Sequence, residues 1–194
     1  MGRIKSALEI AMERTEDVKG NKASVGLFDA KQRGKRLANQ FLEGETASLE
    51  AEFAGAGSDE ERHALKQGCF EVFVTQITLP VMPEDVKRLD AVGKGLAQVI
   101  ENKRFAAQYK EFLDAAALFL KDAAKYDEAI RRQYAPKLKQ KEDELGRRIG
   151  RKVKIDPFQD PEFVNFYNQN MNALKGQYQP IEEETQRQAR ELFT

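Results

Sequence analysis

The residues whose side chains could most readily do chemistry are His63 and Cys69, the single histidine and the single cysteine of this 194-residue chain. A cysteine next to a histidine can act as an activated nucleophile. However, six helical positions rotate two side chains to roughly 120° apart around the axis. The local pattern therefore predicts a buried structural thiol at Cys69 and a surface histidine at His63, and we predict no catalytic residue.

Metal and cofactor sites find little support in the sequence. One histidine and one cysteine cannot supply a zinc ligand set within one chain, and di-iron bundles require two Glu-x-x-His pairs where this chain has only one histidine. The stretch "GRRIGRK" (146–152) lacks the glycine spacing of a phosphate-binding loop. In "GKG" (93–95), Gly93 and Gly95 are expected to allow close approach of another helix. We predict no metal and no cofactor.

A basic segment, "KLKQKEDELGRRIGRKVK" (137–154), contrasts with a chain that is neutral overall. It holds eight Lys/Arg against three Asp/Glu, a net charge of +5. On a helical wheel, one flank beside the apolar stripe of Leu138, Leu145 and Ile149 collects five cations. We predict that these form an interaction flank: Lys137, Lys141, Arg148, Arg151 and Lys152.

Two kinds of partner suit this flank. Cations beside an apolar stripe are typical of helix pairing, but they can also follow a phosphate backbone. Segment 137–154 has no aromatic residue to stack on a base, whereas residues 155–194 carry seven Asp/Glu against three Lys/Arg. We therefore expect an acidic protein surface, including the chain's own C-terminal segment. Nucleic-acid binding is the second hypothesis, and a merely solvated flank is the third.

The elements that position these residues are predicted to be helices. Apolar residues recur at spacings of three and four, which indicates an all-α fold of about seven helices with bundle or coiled-coil-like packing. The longest pattern predicts one long helix or helical hairpin around 104–150. We expect residues 1–194 to form a single helical domain from which segment 104–154 projects.

Several local signals predict where helices begin and end. Gly20 and Asn21 are expected to stop the first helix, and Ser58 with Glu61 has the spacing of a capping box. Segment 70–79 is rich in strand-favouring residues, but it continues a helical stripe, so we favour helix over strand. Proline opens helices, so Pro161 and Pro180 predict a C-terminal helical pair over 160–194.

Composition restricts the setting of the protein. No apolar run of membrane-spanning length occurs, the first 20 residues do not resemble a signal peptide, and a single cysteine cannot form an intrachain disulfide. We therefore expect a cytoplasmic protein that does not enter membranes. The long apolar stripes exceed what a slender monomer can cover, which predicts a homo-oligomer.

Two N-terminal stretches, "IKSALEIAMERT" (4–15) and "RGKRLANQFL" (33–42), resemble the opening of an uncharacterised family of bacterial all-helical proteins. This resemblance is confined to the N-terminal fifth of the chain and implies no site. The sequence as a whole predicts a non-enzymatic structural or interaction protein that acts through helix–helix association, with a nucleic-acid-associated protein as the alternative.

Overall fold

The computed structural model describes the backbone of residues 7–193 and the side chains of residues 24–193. Over the described backbone the chain forms six α-helices and one 3-10 turn, without a strand. The all-α prediction is thus confirmed, and the disputed segment 70–79 is helical as far as Thr75. The helices are α1 (Ala7–Leu42), α2 (Glu50–Ala54), α3 (Asp59–Thr75), α4 (Pro83–Ile100), α5 (Lys103–Ile149) and α6 (Pro161–Leu192), and the 3-10 turn is Pro157–Gln159.

Two predicted helix boundaries are wrong. Helix α1 continues through Gly20 and Asn21, because a glycine inside a helix costs only about 1 kcal/mol and asparagine less. Helix α6 continues through Pro180, so the predicted C-terminal pair over 160–194 is one helix. Proline removes one helical N–H donor and crowds the carbonyl four residues earlier. Buried side chains on both sides, Leu174 and Thr185, hold the helix together across this position.

The chain divides into two compact units, which the sequence had not led us to expect. The first unit contains the described residues up to Ile77, Ala91–Ala106 and the residues from Ala189 onward. The second unit contains Thr78–Asp90 and Ala107–Gln188. Helices α4, α5 and α6 therefore each contribute residues to both units.

Close contact between α1 and α3 organises the first unit. A Cβ atom on Gly34 would lie 2.1 Å from the backbone oxygen of Leu65, and one on Gly68 would lie 2.1 Å from that of Lys31. At this crossing the Cys69 thiol donates a hydrogen bond to the Gly34 carbonyl oxygen at 3.1 Å. The two helices thus approach to a distance that only glycine permits at both positions.

Gly95 serves the same purpose where α4 meets α3. A Cβ at this position would lie 2.5 Å from the Phe73 ring, which is fully buried. The expectation that Gly95 permits close helix approach is confirmed.

An antiparallel hairpin of α5 and α6 forms most of the second unit. Helix α5 has 47 residues, which corresponds to about 70 Å at 1.5 Å per residue, and the prediction of one long helix around 104–150 is confirmed. One apolar cluster joins Ile130 and Tyr134 to Phe163, and another joins Leu79 and Phe119 to Leu174. Late residues of α5 therefore meet early residues of α6.

The turn of the hairpin follows from two glycines. Gly150 has a φ of 70°, and the Arg151 N–H donates to the Gly146 carbonyl at 3.2 Å. This is the Schellman pattern, in which a glycine in the left-handed region ends a helix and reverses the chain. The Ile155 N–H then bonds Glu142 Oε1 at 2.9 Å, so the chain runs back along α5.

Candidate interaction surface

The structure divides the predicted interaction flank into two parts with different surroundings. Lys137 and Lys141 form ion pairs with carboxylates at the start of α6. The other three residues, Arg148, Arg151 and Lys152, are exposed, and no ion pair reaches them within the described part of the chain. The first part lies between the two helices of the hairpin, and the second lies at its turn.

The carboxylate of Asp160 is the centre of the first part. Lys141 Nζ donates to both of its oxygens at 2.8 Å, and the Tyr134 hydroxyl donates to Oδ2 at 2.8 Å. Oδ1 also accepts the Glu162 N–H at 3.1 Å, which caps the N-terminus of α6. Glu162 in turn pairs with Lys141 and, at 3.1 Å, with Lys137. We call these five side chains the hairpin clamp.

The pKa values of Asp160 and Lys141 in the hairpin clamp are shifted in favour of the charged forms. Burial on its own raises the pKa of Asp160, but the hydrogen bonds from Lys141 and then Tyr134 outweigh it, and the pKa is lowered. The pKa of Lys141 is raised, chiefly by its hydrogen bond to Asp160 and next by that to Glu162. Both groups therefore remain ionised near neutral pH, and the hairpin clamp is a structural element with no group ready to exchange a proton.

The second part belongs to a larger set of exposed cations around the hairpin turn. We call this set the basic tip, and its members all lie within residues 147–154, a segment without any carboxylate. In the structure as described, none of the five has an ion-pair partner. They are Arg147, Arg148, Arg151, Lys152 and Lys154.

Apolar surface and a groove accompany the basic tip. The side chains of Leu145 and Ile149, which belong to the apolar stripe, are 39% and 50% exposed. A groove of about 1030 Å³ lies between the end of α5 and the returning segment. Its acidic lining residues are Glu142, which accepts the Ile155 N–H, and the exposed Asp143. The basic tip thus combines unpaired positive charge with uncovered apolar side chains.

A second surface, which the sequence did not indicate as a site, lies between α1 and α3 in the first unit. We call it the α1–α3 groove; it has a volume of about 550 Å³ and is lined by Leu27, Phe28, His63 and Ala64. Phe28 is 60% exposed. Leu27 and Phe28 are neighbours on one helix, and their side chains point about 100° apart. The core therefore cannot bury both, and the sequence already indicates that one of these apolar side chains is exposed.

Acidic side chains border the α1–α3 groove. Asp59 pairs with Arg62 at 3.0 Å, whereas no cation within the described residues forms an ion pair with Glu60. The pKa of Glu60 is lowered, first by its own backbone N–H at the start of α3 and next by the Ser58 hydroxyl. The one lining lysine, Lys31, shares the carboxylate of Glu71 with Lys35, so the lining residues count two carboxylates against one lysine. The lining therefore has a small net negative charge, and Glu60 is its carboxylate without an ion-pair partner among the described residues.

The capping box at the start of α3 is present in a modified form. The Ser58 hydroxyl accepts the Glu61 N–H at 3.1 Å, as predicted. Glu61, however, bonds the Gly57 N–H at 2.9 Å and Arg33 at 3.0 Å. The carboxylate thus reaches one residue further back than the predicted reciprocal bond to Ser58, and it also ties α3 to α1.

The structure keeps His63 and Cys69 apart. Cys69 is completely buried, and burial raises the pKa of its thiol to about 12. His63 is exposed, and its ring stacks on Phe193 with ring centres 5.8 Å apart. Across residues 24–193, no group of three His, Cys, Asp or Glu side chains is arranged to hold a metal ion. No described helix is both long and apolar enough to cross a bilayer.

Comparison with known proteins gives one finding. No curated protein and no solved structure matches the chain. A family match covers residues 50–191, which include the hairpin clamp and the basic tip. The expectation that the resemblance is confined to the N-terminal fifth is therefore wrong, because segments 4–15 and 33–42 lie outside the match. Since the match spans most of the sequence, the chain belongs to the Family of unknown function (DUF6657).

Proposed function

We propose that this protein is a non-enzymatic, helical interaction protein that forms a homo-oligomer through its helix faces, and that within this assembly its basic tip contacts an acidic protein surface. The observation that carries the proposal is the basic tip itself, five exposed cations without ion-pair partners in the described structure. The residues of the hairpin clamp belong to the fold, because their charges are already matched within the hairpin.

Apolar side chains at the basic tip favour a protein partner. Leu145 and Ile149 are one helical turn apart and exposed, which suits a partner helix with acidic flanks. The Arg151–Gly146 and Ile155–Glu142 hydrogen bonds hold the backbone of the turn, so little backbone ordering is needed when it binds a partner.

The reactive side chains of the described fold also support a non-enzymatic role. Cys69 is buried and hydrogen-bonded within the core, and Lys141 is engaged by two carboxylates. Neither is presented to a substrate. A buried free thiol also suits a reducing compartment, and we infer a cytoplasmic setting.

Nucleic acid is the second candidate partner, favoured by the lack of any carboxylate within residues 147–154. Phosphate binding by such a segment depends on counterion release, so affinity should fall steeply between about 50 and 200 mM salt. An acidic helix would depend less on salt, because its apolar contacts are not screened.

One pair of variants tests the proposal. The first reverses Arg148, Arg151 and Lys152 to Glu. The second reverses three exposed cations elsewhere on α5 and changes the net charge equally: Lys110, Lys121 and Arg132. We expect the first variant to lose the concentration-dependent increase in mass measured by light scattering, and the second to retain it, with circular dichroism showing both to be folded.

The contrary outcomes are specific. A wild-type mass near 22.0 kDa at all micromolar concentrations contradicts the homo-oligomer. Equal behaviour of the two variants removes the basic tip from the proposal. Salt-sensitive retardation of labelled DNA or RNA in a gel, abolished in the first variant and retained in the second, replaces the acidic protein with nucleic acid.

A further inference from the structure

We infer that the acidic surface contacted by the basic tip is the α1–α3 groove of a second copy of this chain. This inference rests on the proposed function and names its partner. The contact would place Leu145 and Ile149 of one copy against Leu27 and Phe28 of the next.

Charge complementarity is the first support. The basic tip carries cations without ion-pair partners in the described structure, including Arg148 and Lys152 near the two exposed apolar residues. The α1–α3 groove carries Glu60 without an ion-pair partner there, and its lining holds two carboxylates, Asp59 and Glu60, against one lysine. Opposite unpaired charges on two surfaces guide association and select the partner.

Complementary apolar surface is the second support. The basic tip presents a ridge of two aliphatic side chains one helical turn apart, and Ile149 is 50% exposed. The α1–α3 groove presents a hollow of about 550 Å³, and the exposed Phe28 ring lies on its wall. Burial of this apolar surface supplies the attraction that ion pairs in water do not.

The contact is small. Interfaces that bury less than about 1,200 Å² are typically weak and transient, so we expect association that rises with concentration. Each copy carries one tip and one groove, so every copy offers both sides of the contact. The mass in solution measures how many copies associate.

Mixing two variants of the full chain tests the inference. A tip variant carries Arg148→Glu, Ile149→Ser and Lys152→Glu, and a groove variant carries Phe28→Ser and Glu60→Lys. All five positions are exposed, and thermal unfolding by circular dichroism verifies that each variant folds. A Leu118→Ser variant serves as the control, because Leu118 is 49% exposed on α5 outside both surfaces.

By sedimentation velocity, we expect each variant alone to stay at the monomer mass across a concentration series in which the wild type and the control associate. An equimolar mixture should form a pair, because the intact groove of one variant receives the intact tip of the other. If the groove variant associates like the wild type while the tip variant does not, the inference is wrong and the proposed function stands. If both variants associate normally, the inference is wrong and the basic tip is removed from the proposed function. Failure of the mixture to form a pair also overturns the inference.

Discussion

Removal of the Asp160 carboxylate should destabilise the second unit far more than loss of an ordinary helix cap. Asp160→Ala removes the cap of α6, which costs about 1 kcal/mol. It also removes the 2.8 Å acceptor of the buried Tyr134 hydroxyl, which costs about 1–3 kcal/mol for a buried polar group that loses its partner, while Lys141 keeps its pairing with Glu162. We expect a total loss of about 2–4 kcal/mol in the free energy of unfolding.

Asp156 provides a matched control. Its side chain accepts the Phe158 N–H at 3.0 Å and caps the 3-10 turn, but it lies at an exposed position. Asp156→Ala should therefore cost about 1 kcal/mol or less. Asp160→Asn keeps a capping oxygen and loses the charge, so it should fall between the two alanine variants.

Tyrosine fluorescence in a urea titration is the appropriate measurement. The chain has five tyrosines and no tryptophan, and every tyrosine lies in the second unit. The signal therefore reports on that unit, while circular dichroism follows the helices of both. The five are Tyr109, Tyr126, Tyr134, Tyr167 and Tyr178. If Asp160→Ala and Asp156→Ala have the same effect, the hairpin clamp adds nothing beyond capping and our reasoning is refuted.

Acid titration examines the same group independently. The folded pKa of Asp160 is lowered, so its contribution to stability is complete above the unfolded value of about 3.9 and is lost as the pH falls through the lower folded value. The second unit of the wild type should lose stability as the pH drops below about 4. The stability of the Asp160→Asn variant should depend less steeply on pH than that of the wild type. If the two stability curves run parallel as the pH falls, Asp160 is not the group responsible.

Four further predictions concern three glycines and the thiol. Gly68→Ala should prevent the first unit from folding normally, because the new Cβ would overlap the Lys31 backbone. Gly26→Ala, where nothing lies within 4 Å, should stabilise α1 by about 0.5–1 kcal/mol, as measured by thermal unfolding. Gly150→Ala should cost the second unit about 1–2 kcal/mol, because an alanine in the left-handed region is strained; unchanged tyrosine-detected unfolding would contradict this. Cys69 should react with a thiol reagent only as fast as the protein opens, and rapid labelling in native buffer would contradict its burial.

The sequence predicted the long elements well because their apolar periodicity extends over many turns. Helix α5 has buried residues from Phe105 to Tyr134 at the predicted spacing. The errors arose where a single residue was given too much weight. Gly20 and Pro180 each lie inside a helix, because neighbouring turns supply more stability than one poor residue removes.

The division of the basic flank could not be predicted from the helical wheel. The wheel places Lys141 and Arg148 on one side, but it has no information about the position of Asp160, which lies 19 residues beyond Lys141. Only the reversal at Gly150 brings that carboxylate back to α5. The glycine at the end of a long helical pattern was a readable sign of this reversal. The adjacency of Leu27 and Phe28 indicated only that one of them faces away from the core, because the α1–α3 groove itself depends on helix packing that periodicity does not encode.

The separation of the hairpin clamp from the basic tip has an evolutionary consequence. Within the hairpin clamp, Lys141 and Asp160 form an ion pair, so a substitution of one requires a compensating substitution of the other. At the basic tip, Arg148 and Lys152 have no ion-pair partner within the described fold, so they can be substituted with little loss of folding stability. New binding preferences can therefore arise at the turn of the hairpin by single substitutions, while the pairing of its helices is inherited intact.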